Sequence, residues 1–287
     1  MTEPKVWGSM LAGAILVISF VFYSFKPEHP LLDLRLFKNY NLSIAALTLF
    51  VFAGAFFGGL LLVPSYFQQV GGETALRAGL MMAPQGLVAM LTMPIAGILA
   101  DRVPIGRVVP FGLAIISGAM FSLSRLEADT SNATIMGTLF VMGLGMGLTM
   151  MPLMTSALRT LAAHQVARGS TLINIVQQVA SSAGIAIITV VLTQKMEESQ
   201  AISASQALFK AEESGVQPSF EVLAYVQLLG DKFPGLVMDD MAAAFATALT
   251  VSFFMCLVGL VVSLFLPKKR EPVLDDGAAS AAASLIH

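Results

Sequence analysis

The sequence predicts an all-α integral membrane protein, and three observations carry that prediction. The 287 residues are 56% hydrophobic and only 12% charged, where a soluble domain averages about 25% charged residues. Mean hydropathy is +0.80. The apolar residues gather into seven runs, at about 6–25, 42–66, 78–100, 108–123, 133–154, 172–192 and 241–266. Each run is near the ~20 residues that a helix needs to cross a bilayer. None alternates apolar with polar as a barrel strand does, so helix is the state that satisfies the backbone inside lipid.

The first run could be mistaken for a signal peptide. Its cations Lys26, Arg35 and Lys38 follow the apolar stretch, with only Lys5 ahead of it. A signal peptide has the reverse order and a small-residue cleavage site. The run is expected to be a retained transmembrane helix with its N-terminus outside. After it, His29-Pro30 breaks the chain, and LLDLRLFKNY (31–40) alternates leucine and phenylalanine with charge, which predicts a short interfacial helix. Residues 27–41 are thus a cytoplasmic linker.

The second run ends at Gly71-Gly72-Glu73, a turn on the outer side. The third and fourth runs flank Asp101, Arg102 and Arg107, on a turn with Pro104 and Gly106. Two cations in so short a loop place it in the cytoplasm. The other basic residues agree, apart from the three lysines of the long segment 193–240, since a long loop translocates largely regardless of charge. Arg159 and Arg168, then Lys268, Lys269 and Arg270, fall on the same side as Arg102, while short outer segments carry only Lys5, Arg77 and Arg125. The predicted topology is N-out and C-in, multi-pass, in the plasma (inner) membrane.

Residues 193–240 form one long outer loop rich in acids, in which 201–213 has helical propensity and Pro218 and Pro234 punctuate the rest. The tail 271–287 is rich in Ala, Ser and Asp, a composition that predicts disorder. Asn132-Ala-Thr134 matches a glycosylation sequon, but Asn132 reads better as the N-cap of the fifth span.

Function classes narrow next. The net charge of −2 and the lack of a basic run leave no footprint for nucleic acid. Cys256 is the one cysteine, within an apolar run, so neither a disulfide framework nor a metal cluster is expected. No carboxylates pair in an apolar setting, no histidine has metal spacing, and no nucleophile has a histidine beside it. The chain reads as no enzyme, with no cofactor. No run holds Asp, Glu, Lys, Arg or His near its centre, the usual mark of a proton relay.

What the runs do hold is amides, hydroxyls and methionines. Gln85 is on the third. Asn174, Gln177, Gln178 and Ser181 fall at i, i+3, i+4 and i+7 on the sixth, one helix face. Such a face bonds to a neighbouring helix, the commoner use, or lines a watery cavity. Met81, Met82, Met90 and Met93, with six more on the fifth run, are apolar filling or an adaptable binding surface. Gly54–Gly58 and Gly143–Gly147 are pairs that permit close helix approach. Pro64, Pro84, Pro94 and Pro152 are expected to kink or end their spans.

These residues resemble a known family. Gly97-Ile-Leu-Ala-Asp101-Arg102 followed by Gly106-Arg107 is similar to the G-x-x-x-D-R-x-G-R loop of the major facilitator superfamily, with Pro104 where glycine is usual and Arg107 as the only terminal cation. HPLLDLRLF (29–37), VPSYFQQVG (63–71), AGLMMAPQG (78–86), GLGMG (143–147) and ARGSTLINIVQQ (167–178) resemble the fourteen-spanner drug:proton antiporters. The resemblance covers about residues 27–270 and only the C-terminal half of such a transporter.

It implies one extra transmembrane helix (1–26) followed by a six-helix C-terminal bundle (42–270), built as two inverted three-helix repeats. It implies a substrate cavity that includes Gln85, Met82, Asn174, Gln177 and Gln178, for small lipophilic or cationic compounds. The loop of Gly97, Asp101, Arg102, Gly106 and Arg107 would serve as a conformational lock, with Asp101 against a helix N-terminus of the other half. The partners implied are the lipid bilayer and a missing N-terminal half, which in the family carries the proton-exchanging carboxylates. Two rival readings are an assembly module that pairs with a separate half or with itself, and a non-functional truncation.

Overall fold

The computed structural model describes residues 13, 34–159, 161, 163–215 and 217–267. The expected first span (6–25), apart from a helical Gly13, and the tail 271–287 lie outside the described residues. Within them the chain is helical. A 3-10 turn, Leu34–Lys38, leads into α1 (Tyr40–Gln69), α2 (Ala75–Arg102), α3 (Ile105–Leu123), α4 (Asn132–Arg159) and α5 (Ala163–Glu198). Two short helices follow, α6 (Gln200–Ser214) and α7 (Phe220–Leu229), then a 3-10 turn Gly230–Lys232 and α8 (Phe233–Ser263). Six helical segments, those of α1 to α5 and the one ending in α8, are long and apolar enough to cross a membrane. They coincide with the second to seventh apolar runs.

The sequence explains where the helices start. Asn39 accepts from the Asn41 and Leu42 amides and caps α1. Thr74 accepts from Arg77 and caps α2, and Ser199 accepts from Ile202 and caps α6. Each satisfies amides that the first helical turn leaves open. At α4 the cap is Ser131, whose Oγ accepts from the Thr134 amide at 3.3 Å, and not Asn132 as expected. Asn132 is already helical, and its amide donates to Glu73 Oε1 at 3.3 Å. The turn after α1 relies on Gly72, whose φ of 64° suits glycine.

Of the two outcomes expected of the prolines, to kink or to end a span, the second does not occur. Pro64, Pro84, Pro94 and Pro152 all lie inside continuous helices, and none ends a span. Three buried threonines turn back to their own helices: Thr48 donates to Ile44 O (2.8 Å), Thr92 to Val88 O (2.7 Å) and Thr149 to Gly145 O (2.8 Å), while Ser117 and Ser252 Oγ are buried without a partner among the described residues. In lipid no water offers an alternative.

The six long helices pack with an internal symmetry. α2 packs chiefly on α4, and α5 chiefly on α1; α3 packs on α4, and α8 on α1; α3 and α8 pack on each other. Exchanging α1, α2, α3 with α4, α5, α8 returns the same partners. Each trio makes an odd number of crossings, so the second begins at the opposite end from the first, which is the arrangement of inverted repeats.

Glycines fix the approach in both trios. Gly54 and Gly58 of α1 face Ala180, Gly184 and Ile188 of α5. Gly143 and Gly147 of α4 face Gln85, Thr92 and Met93 of α2. A methyl group on Gly184 would overlap the Gly54 carbonyl, and one on Gly143 would overlap the Gln85 carbonyl. Backbone contact of this kind is how helices associate where lipid removes the hydrophobic drive. Between the trios lies a core of Leu49, Phe52, Phe56, Leu113, Ile116, Met120, Phe245 and Leu249, all nearly inaccessible.

The two ends of the bundle differ in chemistry. At one end the 3-10 turn, the α2–α3 turn and the end of α8 meet: Gly106 N donates to Pro267 O at 3.2 Å, and Ser43 Oγ donates to Phe37 O. At the other end Tyr66 Oη donates to Glu127 O at 2.7 Å, and Glu73 pairs with Arg77 at 3.1 Å. The segment expected as an outer loop is largely helical. The helix α6 matches the predicted 201–213 closely, while α5 runs on to Glu198 and α8 begins at Phe233. Ser199 Oγ donates to Asp240 Oδ2 at 2.6 Å and ties α6 to α8.

Candidate functional site

The residues proposed from sequence as a cavity sit on the two flanks of the bundle. Gln85 and Met82 are on α2; Asn174, Gln177 and Gln178 are on α5. The helices α2 and α5 have no substantial contact with each other, and α4 and α1 lie between them. The two groups are therefore not brought together.

On α5 the amides face outward. Asn174 and Gln178 are exposed, and Gln177 is half-buried. The packed face of the helix is Ala180, Gly184 and Ile188, against α1. Ser181 returns its proton to Gln177 O at 2.8 Å. Neither the Asn174 nor the Gln178 side chain has a hydrogen bond among the described residues. The expectation that this face bonds to a neighbouring span thus fails within this bundle. Helical periodicity put the amides on one face, but it could not say which face; the glycine contact with α1 decides it.

On α2 the arrangement is reversed. Gln85 is 5% exposed, pressed against α4 where Gly143 leaves room. Its Oε1 is buried without a hydrogen-bond partner among the described residues. Met82 is half-buried beside the core, as are Met136, Met146, Met150 and Met154. Met90 and Met151 are exposed. Between its terminal arginines Arg77 and Arg102, the exposed surface of α2 is otherwise apolar: Leu80, Leu87, Leu91, Ile95 and Ile98.

The loop motif is split by the fold. Gly97 is half-buried on α2, with Met151 of α4 just in van der Waals range of its open position. Asp101 and Arg102 are the last two residues of α2, and Arg107 is on the first turn of α3. Gly106 has a local reason that the sequence did not reveal. The segment just after α8 crosses it so closely that a Cβ would stand 2.6 Å from Leu266 O and 2.9 Å from Pro267 O. The motif glycine therefore seats the close of the last helix against the α2–α3 turn.

Comparison with known proteins agrees with this architecture. The sequence profile described as Major Facilitator Superfamily matches residues 6–185. The chain belongs to the Major Facilitator Superfamily. It is a multi-pass membrane protein of that family. It is 37% identical to the "Multidrug resistance protein B homolog" of Mycobacterium tuberculosis strain H37Rv, over 96% of this chain and 52% of that protein. It is 27% identical to the "Lincomycin resistance protein LmrB" of Listeria monocytogenes, over 92% and 52%. It is 29% identical to the "Multidrug export protein EmrB" of Escherichia coli, over 63% and 36%. The chain spans about half the length of the curated relatives it matches.

Proposed function

We propose that this chain is the C-terminal half of a proton-coupled multidrug efflux transporter of the plasma membrane, with its N-terminus outside and its C-terminus in the cytoplasm. It works by alternating access against an N-terminal half and does not pump alone. The observation that supports this reading is the outward amide strip of α5. Asn174 and Gln178 lie exposed in the first third of the apolar run 172–192, and an amide left unsatisfied in lipid is costly. A second bundle facing α5 would enclose them as the wall of a watery cavity.

The ionisable groups fit the same division. No span of this chain carries a charge near its centre, so proton loading falls to the other half. Substrate recognition by this wall is by amides and thioethers, which tolerate many shapes and suit lipophilic or cationic compounds. The positive residues Arg102, Arg107 and Arg159 share the end taken as cytoplasmic. The loop of Gly97, Asp101, Arg102, Gly106 and Arg107 lies there, positioned to act as the lock between halves.

Reconstitution in vesicles with an imposed pH gradient tests the proposal, using ethidium accumulation as the readout. The chain alone should give no accumulation. Co-reconstitution with the N-terminal half of a relative should restore it, and Asn174→Ala with Gln178→Ala should lower it. Accumulation by the chain alone would overturn the reading.

A further inference from the structure

Away from the amide strip, a hollow of about 660 Å³ opens at the outer end of the bundle. Its volume is in the range of small-molecule sites. The helix α6 forms its roof. Ile202, Ser205, Gln206, Phe209 and Lys210 recur at i, i+3, i+4, i+7 and i+8, so one face of α6 looks into it. The floor comes from Met196 of α5 and from Val237 and Met241 of α8, with Gln69 at the end of α1. The hollow thus sits where the apolar spans give way to the outer helices.

Its lining is sorted by chemistry. Met196, Ile202, Phe209, Val237 and Met241 are apolar. Gln69, Ser205, Gln206 and Lys210 are polar, and none of these four side chains has a hydrogen bond or ion pair among the described residues. Lys210 is the only charged residue of the lining. Three neighbouring acids are engaged elsewhere. Asp240 accepts from Ser199, Glu198 pairs with Lys195 at 2.6 Å, and Asp239 borders a separate hollow with Glu127 and Asp129.

We infer that this hollow is a binding site for an amphiphile with an anionic head. The chain lies on the methionines and Val237. The head takes the Lys210 ammonium, with the two amides and the Ser205 hydroxyl as further donors. A bilayer phospholipid and a free fatty acid share this chemistry. The site is independent of the transport reading, since it uses no residue of the α5 amide strip.

The test uses the full chain in phosphatidylcholine nanodiscs, photolysed with a diazirine-bearing palmitate, with labelled residues mapped by mass spectrometry. Label should concentrate on α6 and around Met241. Oleate should compete, and dodecyltrimethylammonium, with the opposite head, should not. Lys210 is exposed, so Lys210→Gln leaves the fold intact and should cut labelling about tenfold through loss of one charge-assisted contact. Val237→Trp should also cut it by filling the hollow, and Lys195→Gln should leave it unchanged. A second arm places a diazirine-bearing phosphatidylglycerol in the disc. Label at the same residues in that arm identifies a bilayer lipid, and label from palmitate only identifies a soluble amphiphile. Label spread evenly over α2 and α8 and indifferent to Lys210→Gln, or equal competition by the ammonium surfactant, would overturn the site.

Discussion

Helices α2 and α5 occupy equivalent places in the two trios, and they treat their polar groups in opposite ways. Both are flanking helices with little buried surface, 28% for α2 and 17% for α5 over their apolar windows, against 67% for α1. Both are seated on a glycine pair of the opposite trio. Yet α2 turns Gln85 and Thr92 inward and shows leucine and isoleucine outside, while α5 turns Gly184 and Ile188 inward and shows Asn174 and Gln178 outside. The packing plan is shared, and the outward face is where the two repeats differ. An outward apolar face is at home in lipid; an outward amide face within an apolar run requires something else.

The shared part of the plan gives the largest expected effect. Gly184→Val and Gly143→Val should each destabilise the bundle by about 3 kcal/mol, the upper end of overpacking costs. The obstacle in both is backbone, which cannot rotate away. Thermal unfolding in detergent measures this. Gly86→Ala, on the open face of α2 with nothing within 4 Å, should instead raise the midpoint slightly, by about 0.5–1 kcal/mol of helix propensity. If Gly143→Val were tolerated and Gly184→Val were not, the two flanks would not be equivalent.

How much of this was legible beforehand follows the same line. The positions of the second to seventh spans were, because uninterrupted apolar runs at 42–66 or 241–266 have one physical use. The glycine pairs were visible as packing devices, but their partners were not, since Gly184 and Gln85 are far away in sequence. The outer reach of α5 was missed because Thr193 to Glu198 is polar, and hydropathy says nothing about a helix that continues beyond the membrane. Ser131 and Asn132 are adjacent cap formers, and choosing between them required the Glu73 contact that draws Asn132 into α4. That the prolines would lie inside helices and not end them was not decided by sequence, which allowed either. The orientation of the α5 amides was closed to sequence reasoning, because a strip at i, i+3, i+4 and i+7 serves equally well facing in or out.

The outward faces themselves can be compared by thiol chemistry. With Cys256 replaced by alanine and an N-terminal half supplied, single cysteines at 174 and 178 should react with a charged methanethiosulfonate at least about tenfold faster than cysteines at 87 and 91. The reagent is charged and attacks the thiolate, and neither species is favoured against lipid. Equal rates at all four positions would erase the distinction between a watery wall on α5 and a lipid wall on α2.

The smallest effect concerns the amide that α2 hides. Gln85 is buried against Gly143 with its Oε1 lacking a partner among the described residues, and a buried unsatisfied acceptor costs about 1–3 kcal/mol. Methionine has similar length and reach without that acceptor, and it adapts to irregular space. Gln85→Met should therefore raise stability by up to about 1 kcal/mol, the part of the penalty that repacking does not return. Asn174→Met should leave the stability of the isolated chain unchanged in detergent, because that amide is exposed. Thermal midpoints of the two variants, measured side by side, decide the matter. A clear loss of stability in Gln85→Met would mean that the hidden amide is held by a bound water or ligand, and Gln85 would then join Asn174 and Gln178 as a residue turned toward a wet cavity.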